Sequence, residues 1–180
     1  LYWPIAQKLQ AYPALLDWWI SENSHGRHIW PGNYTGRVLE NWQPQEVLDQ
    51  IKETRLRPGS TGNVHFSMKV FLKDGKGLNE ALLGETYSER ALVPESPWLG
   101  SALPVAPGLK RSGNKLMLTP LRNARFWVLA GPDQKILRMV AAEQTEFVVN
   151  PSDLGGVPLN SCMIAATSRT GVLGRWTKIK

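Results

Sequence analysis

Residues 27–72 read RHIWPGNYTGRVLENWQPQEVLDQIKETRLRPGSTGNVHFSMKVFL, and the order of patterns within this stretch decides the fold. RHIWP at 27–31 is short, holds a β-branched and an aromatic residue, and stops at Pro31-Gly32, which predicts a strand. Pro44 suits the first turn of a helix, where an N–H would have no partner anyway. Val47, Leu48, Ile51 and Leu56 then recur at helical spacing, Glu46, Asp49 and Glu53 take the wet side, and Pro58-Gly59 stops the run, so 44–56 is expected to be a helix. NVHFSMKVFL at 63–72 predicts the next strand. Strand, helix, strand argues for a parallel pair, because parallel neighbours need a crossover connection.

Working outward, AYPALLDWWISE at 11–22 predicts a helix with Pro13 at its entry and Leu15, Leu16, Trp19 and Ile20 on one face. LYWPI at 1–5 has no initiator Met and no signal-peptide pattern, and it looks like the end of a buried strand. The expectation is a piece of a longer protein. Residues 77–91 predict another helix burying Leu78, Ala81, Leu82 and Tyr87. These βα units fit the last part of a TIM barrel or a fragment of a doubly wound sheet. A whole barrel takes about 250 residues, more than the 180 present.

Beyond this the pattern changes. Residues 93–113 are rich in Pro and Gly, with Trp98 as an anchor. Short strands are then expected at 114–119, 124–130, 135–141, 145–149, 161–167 and 174–179, separated by turns, which describes a β-sandwich. The expected fold class is therefore α/β followed by all-β: a partial barrel or a fragment of a doubly wound sheet over 1–100, a linker over 101–113 and a sandwich over 114–180.

Composition narrows the function. The chain is 42% hydrophobic and 20% charged, as folded proteins are, and no apolar run is long enough for a transmembrane segment. The single cysteine, Cys162, excludes a disulfide framework, and it lies in an apolar run where a buried small hydrophobe is expected. Residues 1–100 hold 10 Lys+Arg against 11 Asp+Glu, whereas 101–180 hold 11 against 4. A basic second part could meet an anionic polymer. Nucleic acid is not an expected partner, because the aromatics there, Phe126, Trp127, Phe147 and Trp176, fit a sandwich core better than a base-stacking platform.

In a barrel, function sits at the carboxyl ends of the strands. That rule selects Tyr2 and Trp3, then Trp30, Asn33 and Tyr34, then Ser67 and Lys69. Aromatic rings there offer flat apolar faces to sugar rings, with polar atoms for hydroxyls. Glycoside hydrolysis needs two carboxyl groups, yet only Glu40 and Asp74 fall in loops after strands, and neither is at a strand end. His25, His28 and His65 lack the spacing of a metal site. No P-loop, dinucleotide fingerprint or G-x-S-x-G is present. No metal and no cofactor is expected.

Several runs carry a resemblance. Leu-Tyr-Trp-Pro-Ile at 1–5, Ala-Tyr-x-x-Leu-Leu-x-Trp-Trp at 11–19, Trp-Pro-Gly-x-Tyr at 30–34, Gln-Ile-x-x-x-Arg at 50–55, Gly-Asn-Val-His-Phe-Ser at 62–67 and Ala-Leu-Val-Pro-x-x-Pro-Trp-Leu at 91–99 together resemble the last third of the glycosyl-hydrolase-like family ten. The run from Ile164 to Gly174 is similar to the closing strands of a fibronectin type III domain, with Cys162 near where that module usually has a Tyr.

The resemblance implies a bacterial cell-envelope glycoside hydrolase, periplasmic or secreted and lipid-anchored, acting on glycan strands such as those of peptidoglycan. It implies that residues 1–100 are the sixth to eighth βα units. The catalytic acids, unknown here, would lie on the missing N-terminal part, present as a second chain, and this chain alone would be inactive. Tyr2, Trp3, Trp30, Tyr34, Ser67 and Lys69 carry over as positions lining a substrate cleft. The alternative is a non-catalytic carbohydrate or envelope-polymer binding protein that uses the basic sandwich.

Overall fold

The computed structural model describes residues 1–100 and 102–180. Ser101, the first residue of the expected linker, lies outside the described residues. The chain divides into two compact units, Leu1–Ser88 and Glu89–Lys180.

In the first unit, helix α1 covers Tyr12–Ser21 and buries Tyr12 and Leu16, one turn apart. The face expected from Leu15 and Trp19 is therefore rotated, leaving Trp18 and Trp19 exposed. The reason is polar: the Tyr12 hydroxyl hydrogen-bonds Thr54 Oγ1 at 2.8 Å and accepts from Asn33 Nδ2 at 3.2 Å, which turns its side of the helix inward. Strand β1 is Gly32–Asn33, helix α2 is Pro44–Arg55 and strand β2 is Val64–His65. The two strands pair in parallel, Gly32 with Val64 and Asn33 with His65, and an isolated parallel bridge joins Ile29 to Ser60. A βαβ unit is thus present where the spacing of residues 27–72 predicts one.

The strands are shorter than expected. The run 63–72 leaves the sheet after His65, and Lys69–Leu72 coil into a helical turn, α3, whose Val70 is buried. The short apolar run there serves as a helix face, a choice that composition does not distinguish. Helix α4 spans Leu78–Gly84 and buries Leu78 and Leu82. Val38, Val47, Leu48, Ile51, Val70, Leu78 and Leu82 form one apolar cluster between these helices and the 3-10 turn Thr35–Leu39. Beside it runs a buried polar chain. Asn33 Nδ2 donates to Gln50 Oε1 at 3.0 Å, Gln50 Nε2 donates to Glu46 Oε1 at 2.9 Å, and Thr54 Oγ1 stands 2.9 Å from the Gln50 carbonyl and 3.1 Å from Asn63 Oδ1.

The second unit is built of antiparallel strands: β3 (Leu109–Ser112), β4 (Lys115–Leu118), β5 (Ala124–Ala130), β6 (Ile136–Ala141), β7 (Glu146–Val148), β8 (Met163–Ser168) and β9 (Thr177–Lys178). They form two sheets, β3-β4-β7 and β6-β5-β8-β9. Alternation sends Leu116, Leu118 and Phe147 from one sheet, and Trp127, Leu129, Ile164 and Ala166 from the other, into a single core cluster. Strand β3 lies inside the expected linker 101–113. The upstream segment is also engaged: Ser96 N–H donates to the Thr170 carbonyl at 2.7 Å, and Thr170 Oγ1 donates to the Gly100 carbonyl at 2.8 Å.

Candidate functional site

The site grows from the ends of β1 and β2. Because the pair is parallel, both carboxyl ends lie on the same side, and the next residues are Tyr34 and Phe66. Phe66 N–H donates to the Asn33 carbonyl at 2.9 Å, and the Phe66 carbonyl accepts from Gly36 N–H and Thr35 Oγ1, each at 3.0 Å. These bonds fix the two strand ends side by side. A cleft of about 440 Å³ opens there, lined by Tyr34, Gly36, Leu39, Glu40, Phe66, Ser67, Lys69 and Lys73.

Rings form one wall. The Tyr2 ring meets Tyr34 edge-on at 5.2 Å and Phe66 at 6.3 Å, and Tyr34 and Phe66 are 5.8 Å apart. The Arg37 guanidinium sits 5.2 Å from the Tyr34 centroid and bridges to Glu40 at 2.8 Å. Lys69 and Lys73, one helical turn apart, also line the cleft. Among the lining residues Glu40 is the carboxylate, and it is already paired with Arg37. The arrangement can hold a polyol ring against aromatic faces and offer Ser67 Oγ and two ammonium groups to its substituents. It holds no pair of facing carboxyl groups of the kind that hydrolyses a glycosidic bond.

Four of the residues selected from sequence therefore meet: Tyr34, Ser67 and Lys69 line the cleft, and Tyr2 packs on its rings. Trp3 is exposed but does not line it. Trp30 lies before β1, at the opposite end of the pair, because the paired strand begins at Gly32 and ends at Asn33, whereas the sequence predicts a strand over 27–31 that stops at Pro31-Gly32. There it stacks on His28 at 5.5 Å, donates Nε1–H to Thr61 Oγ1 at 2.8 Å, and helps line a separate apolar pocket with Leu16, Trp19 and Ile29. Phe66 and Lys73 were not selected. Phe66 reads as a mid-strand residue, and the Lys69–Lys73 spacing becomes a signal only once 69–72 is known to be helical.

His65, whose direction is open from sequence, points away from the cleft. Its Nε2 is 2.7 Å from the Tyr87 hydroxyl and its ring meets Phe71 edge-on at 5.4 Å. Burial holds this imidazole below its usual pKa and pushes the Tyr87 phenol above its own. Cys162 is buried, its thiol 3.4 Å from the Pro158 carbonyl and raised in pKa by burial, an unreactive setting.

Comparison with known proteins relates the chain to a glycosyl hydrolase. The match is to the glycosyl hydrolase YngK of Bacillus subtilis (strain 168), 32% identical over 129 residues, covering 66% of this chain and 25% of that protein. The chain thus spans about a quarter of the length of the curated relative it matches. No family model and no solved structure matches.

Proposed function

We propose that the first unit supplies the aromatic wall of the carbohydrate cleft of a glycoside hydrolase, as the closing βα units of a (β/α)8 barrel, and that the second unit is a fibronectin type III-like sandwich appended to it. The observation that carries this reading is the emergence of Tyr34 and Phe66 side by side from the carboxyl ends of two parallel strands, with Tyr2 packed on both. In a parallel α/β fold that end is where ligands bind. The relationship to a much longer glycosyl hydrolase supports the reading. So does the two-stranded extent of β1-β2, a pair too small to stand as an independent sheet.

On this reading the acid and the base belong to strands contributed by polypeptide outside this chain. The reaction is hydrolysis of a glycosidic bond in a cell-envelope glycan, peptidoglycan strands being the substrate to try first. The test compares this chain, and the longer protein assembled around it, on purified glycan strands. Hydrolysis by the longer protein, none by this chain, and at least a tenfold loss of hydrolysis on Tyr34→Ala or Phe66→Ala in the longer protein (about 1.4 kcal/mol of lost ring contact) are expected. Equal hydrolysis by both proteins, or wild-type rates in both variants, would overturn the proposal.

A further inference from the structure

A second groove, of about 560 Å³, lies wholly within the second unit. Its apolar lining includes Leu92, Val93, Phe126 and Met139, and Arg125 and Arg169 border it. The ladder explains how Arg125 and Phe126, neighbours in sequence, both reach it. In a regular strand they would point to opposite faces. The β5-β8 register shifts between Ala124 and Phe126, so Ala124 pairs with Ser168 and Phe126 with Thr167, and Arg125 is the extra residue of a bulge. A bulge re-aims a side chain in this way.

The ring beside one cation and the turn beneath the other set where they stand. The Arg125 guanidinium lies 5.4 Å from the Phe126 centroid. Arg169 rides on a turn fixed by Ser168 Oγ, which accepts from Thr170 N–H at 3.2 Å and Val172 N–H at 3.0 Å. Among the described residues neither guanidinium has a carboxylate partner. Glu95, between the lining residues Pro94 and Ser96, pairs with neither of them. The unit around them is basic, with 12 Lys+Arg against 6 Asp+Glu over residues 89–180.

We propose that this groove binds a carboxylate-bearing sugar of an anionic glycan, with Arg125 and Arg169 taking the carboxylate and Phe126 and Met139 taking the apolar face of the ring. Guanidinium is the cation whose planar fork matches a carboxylate. A sugar fits better than an acidic peptide. Sheets usually capture peptides by adding a strand to an open edge, whereas this groove lies on β5, whose backbone is paired on both sides by β6 and β8. The site is separate from the Tyr34 cleft and stands whether or not that cleft binds substrate.

The test is calorimetric titration of the chain with short oligosaccharides containing galacturonate, glucuronate or N-acetylmuramate, with a neutral glucose oligomer of equal length and poly-glutamate as controls. Saturable binding to at least one acidic oligosaccharide, weakening as salt rises, is expected. Arg125→Gln and Arg169→Gln should each weaken it by about tenfold, the loss of one charge-assisted pair, while Lys110→Gln, an exposed cation of β3 outside the groove, leaves it unchanged. Both arginine side chains are exposed, so the variants are expected to fold, and an unchanged circular dichroism melt checks this. No binding to any of the three acidic sugars overturns the proposal. So does equal binding of the neutral oligomer, tighter binding of poly-glutamate, or wild-type affinity in both folded arginine variants.

Discussion

The two units differ in how they place most of their largest aromatic rings. Tyr2, Trp3, Trp18, Trp19, Trp30 and Phe66, all in the first unit, are exposed. In the second, Trp127 and Phe147 are swallowed by the core between the sheets, and Phe126 and Trp176 are half-covered. The polar groups are reversed too. The first unit buries Asn33, Thr35, Gln50 and Thr54, several of them bonded to one another beside a modest apolar cluster. The second unit relies on ladder and apolar packing. The first unit thus turns most of its tryptophans outward and holds itself partly with buried amides, whereas the second folds Trp127 and Phe147 inward between its sheets.

Substitutions sharpen or break this contrast. The largest effect is expected in the sheet core: Trp127→Ala removes a fully buried ring and should cost the second unit about 3–5 kcal/mol, read as lost hydrogen-exchange protection of β5 and β8. Next comes Gly171→Ala. Gly171 has φ +84°, and an added Cβ would stand 2.8 Å from the Pro94 carbonyl oxygen. The left-handed backbone and the clash together should cost about 2–4 kcal/mol, measured by chemical denaturation followed at Trp98 and Trp127. In the first unit, Gln50→Ala takes from the buried Asn33 amide one of its two acceptors, leaving it only the Tyr12 hydroxyl, and should cost about 1–3 kcal/mol. A Gln50→Ala loss as large as that of Trp127→Ala would mean that the polar chain, not the apolar cluster, is the main support there.

The pH response should separate the units further, since all three histidines lie in the first. Burial lowers the His65 pKa from the usual 6.5, so the unfolded chain takes up its proton first on acidification. The first unit's stability should therefore be full above that value and decline as pH falls below it, levelling once pH passes the folded-state pKa. His65→Gln should flatten the decline, monitored by exchange at β2. The smallest effect is at the surface. Lys115 and Glu146 pair at 2.6 Å across β4-β7, both half-exposed, and Lys115→Ala should change stability by less than about 1 kcal/mol, with a melt unchanged in high salt.

Much of the fold was legible because its cues are local. Pro13 and Pro44 sit in the first turns of α1 and α2, and β5 has the bounds 124–130 expected of a short apolar strand between turns. The misses have a common cause: a distant partner decided the outcome. KVFL at 69–72 suits a strand by composition but coils to bury Val70 against the first unit's apolar cluster. LKRS at 109–112 looks like linker, yet pairs with Lys115–Leu118 through the turn at Gly113. At the candidate site, the strand-end rule located Tyr34 and Ser67. It misplaced Trp30, because the end of β1 is set by its pairing to β2 rather than by Pro31. Phe66 reads as mid-strand in the sequence and lines the cleft because β2 ends one residue before it, at His65.

The bonds from Ser96 and Gly100 to Thr170 have a practical meaning for anyone cutting this protein apart. Residues 96–100, ahead of β3, are tied to Thr170 rather than forming a free tether, so a protease should nick them slowly despite their turn-like composition. A recombinant second unit begun at Leu109 would lose that tie, and one begun at Glu89 would keep it.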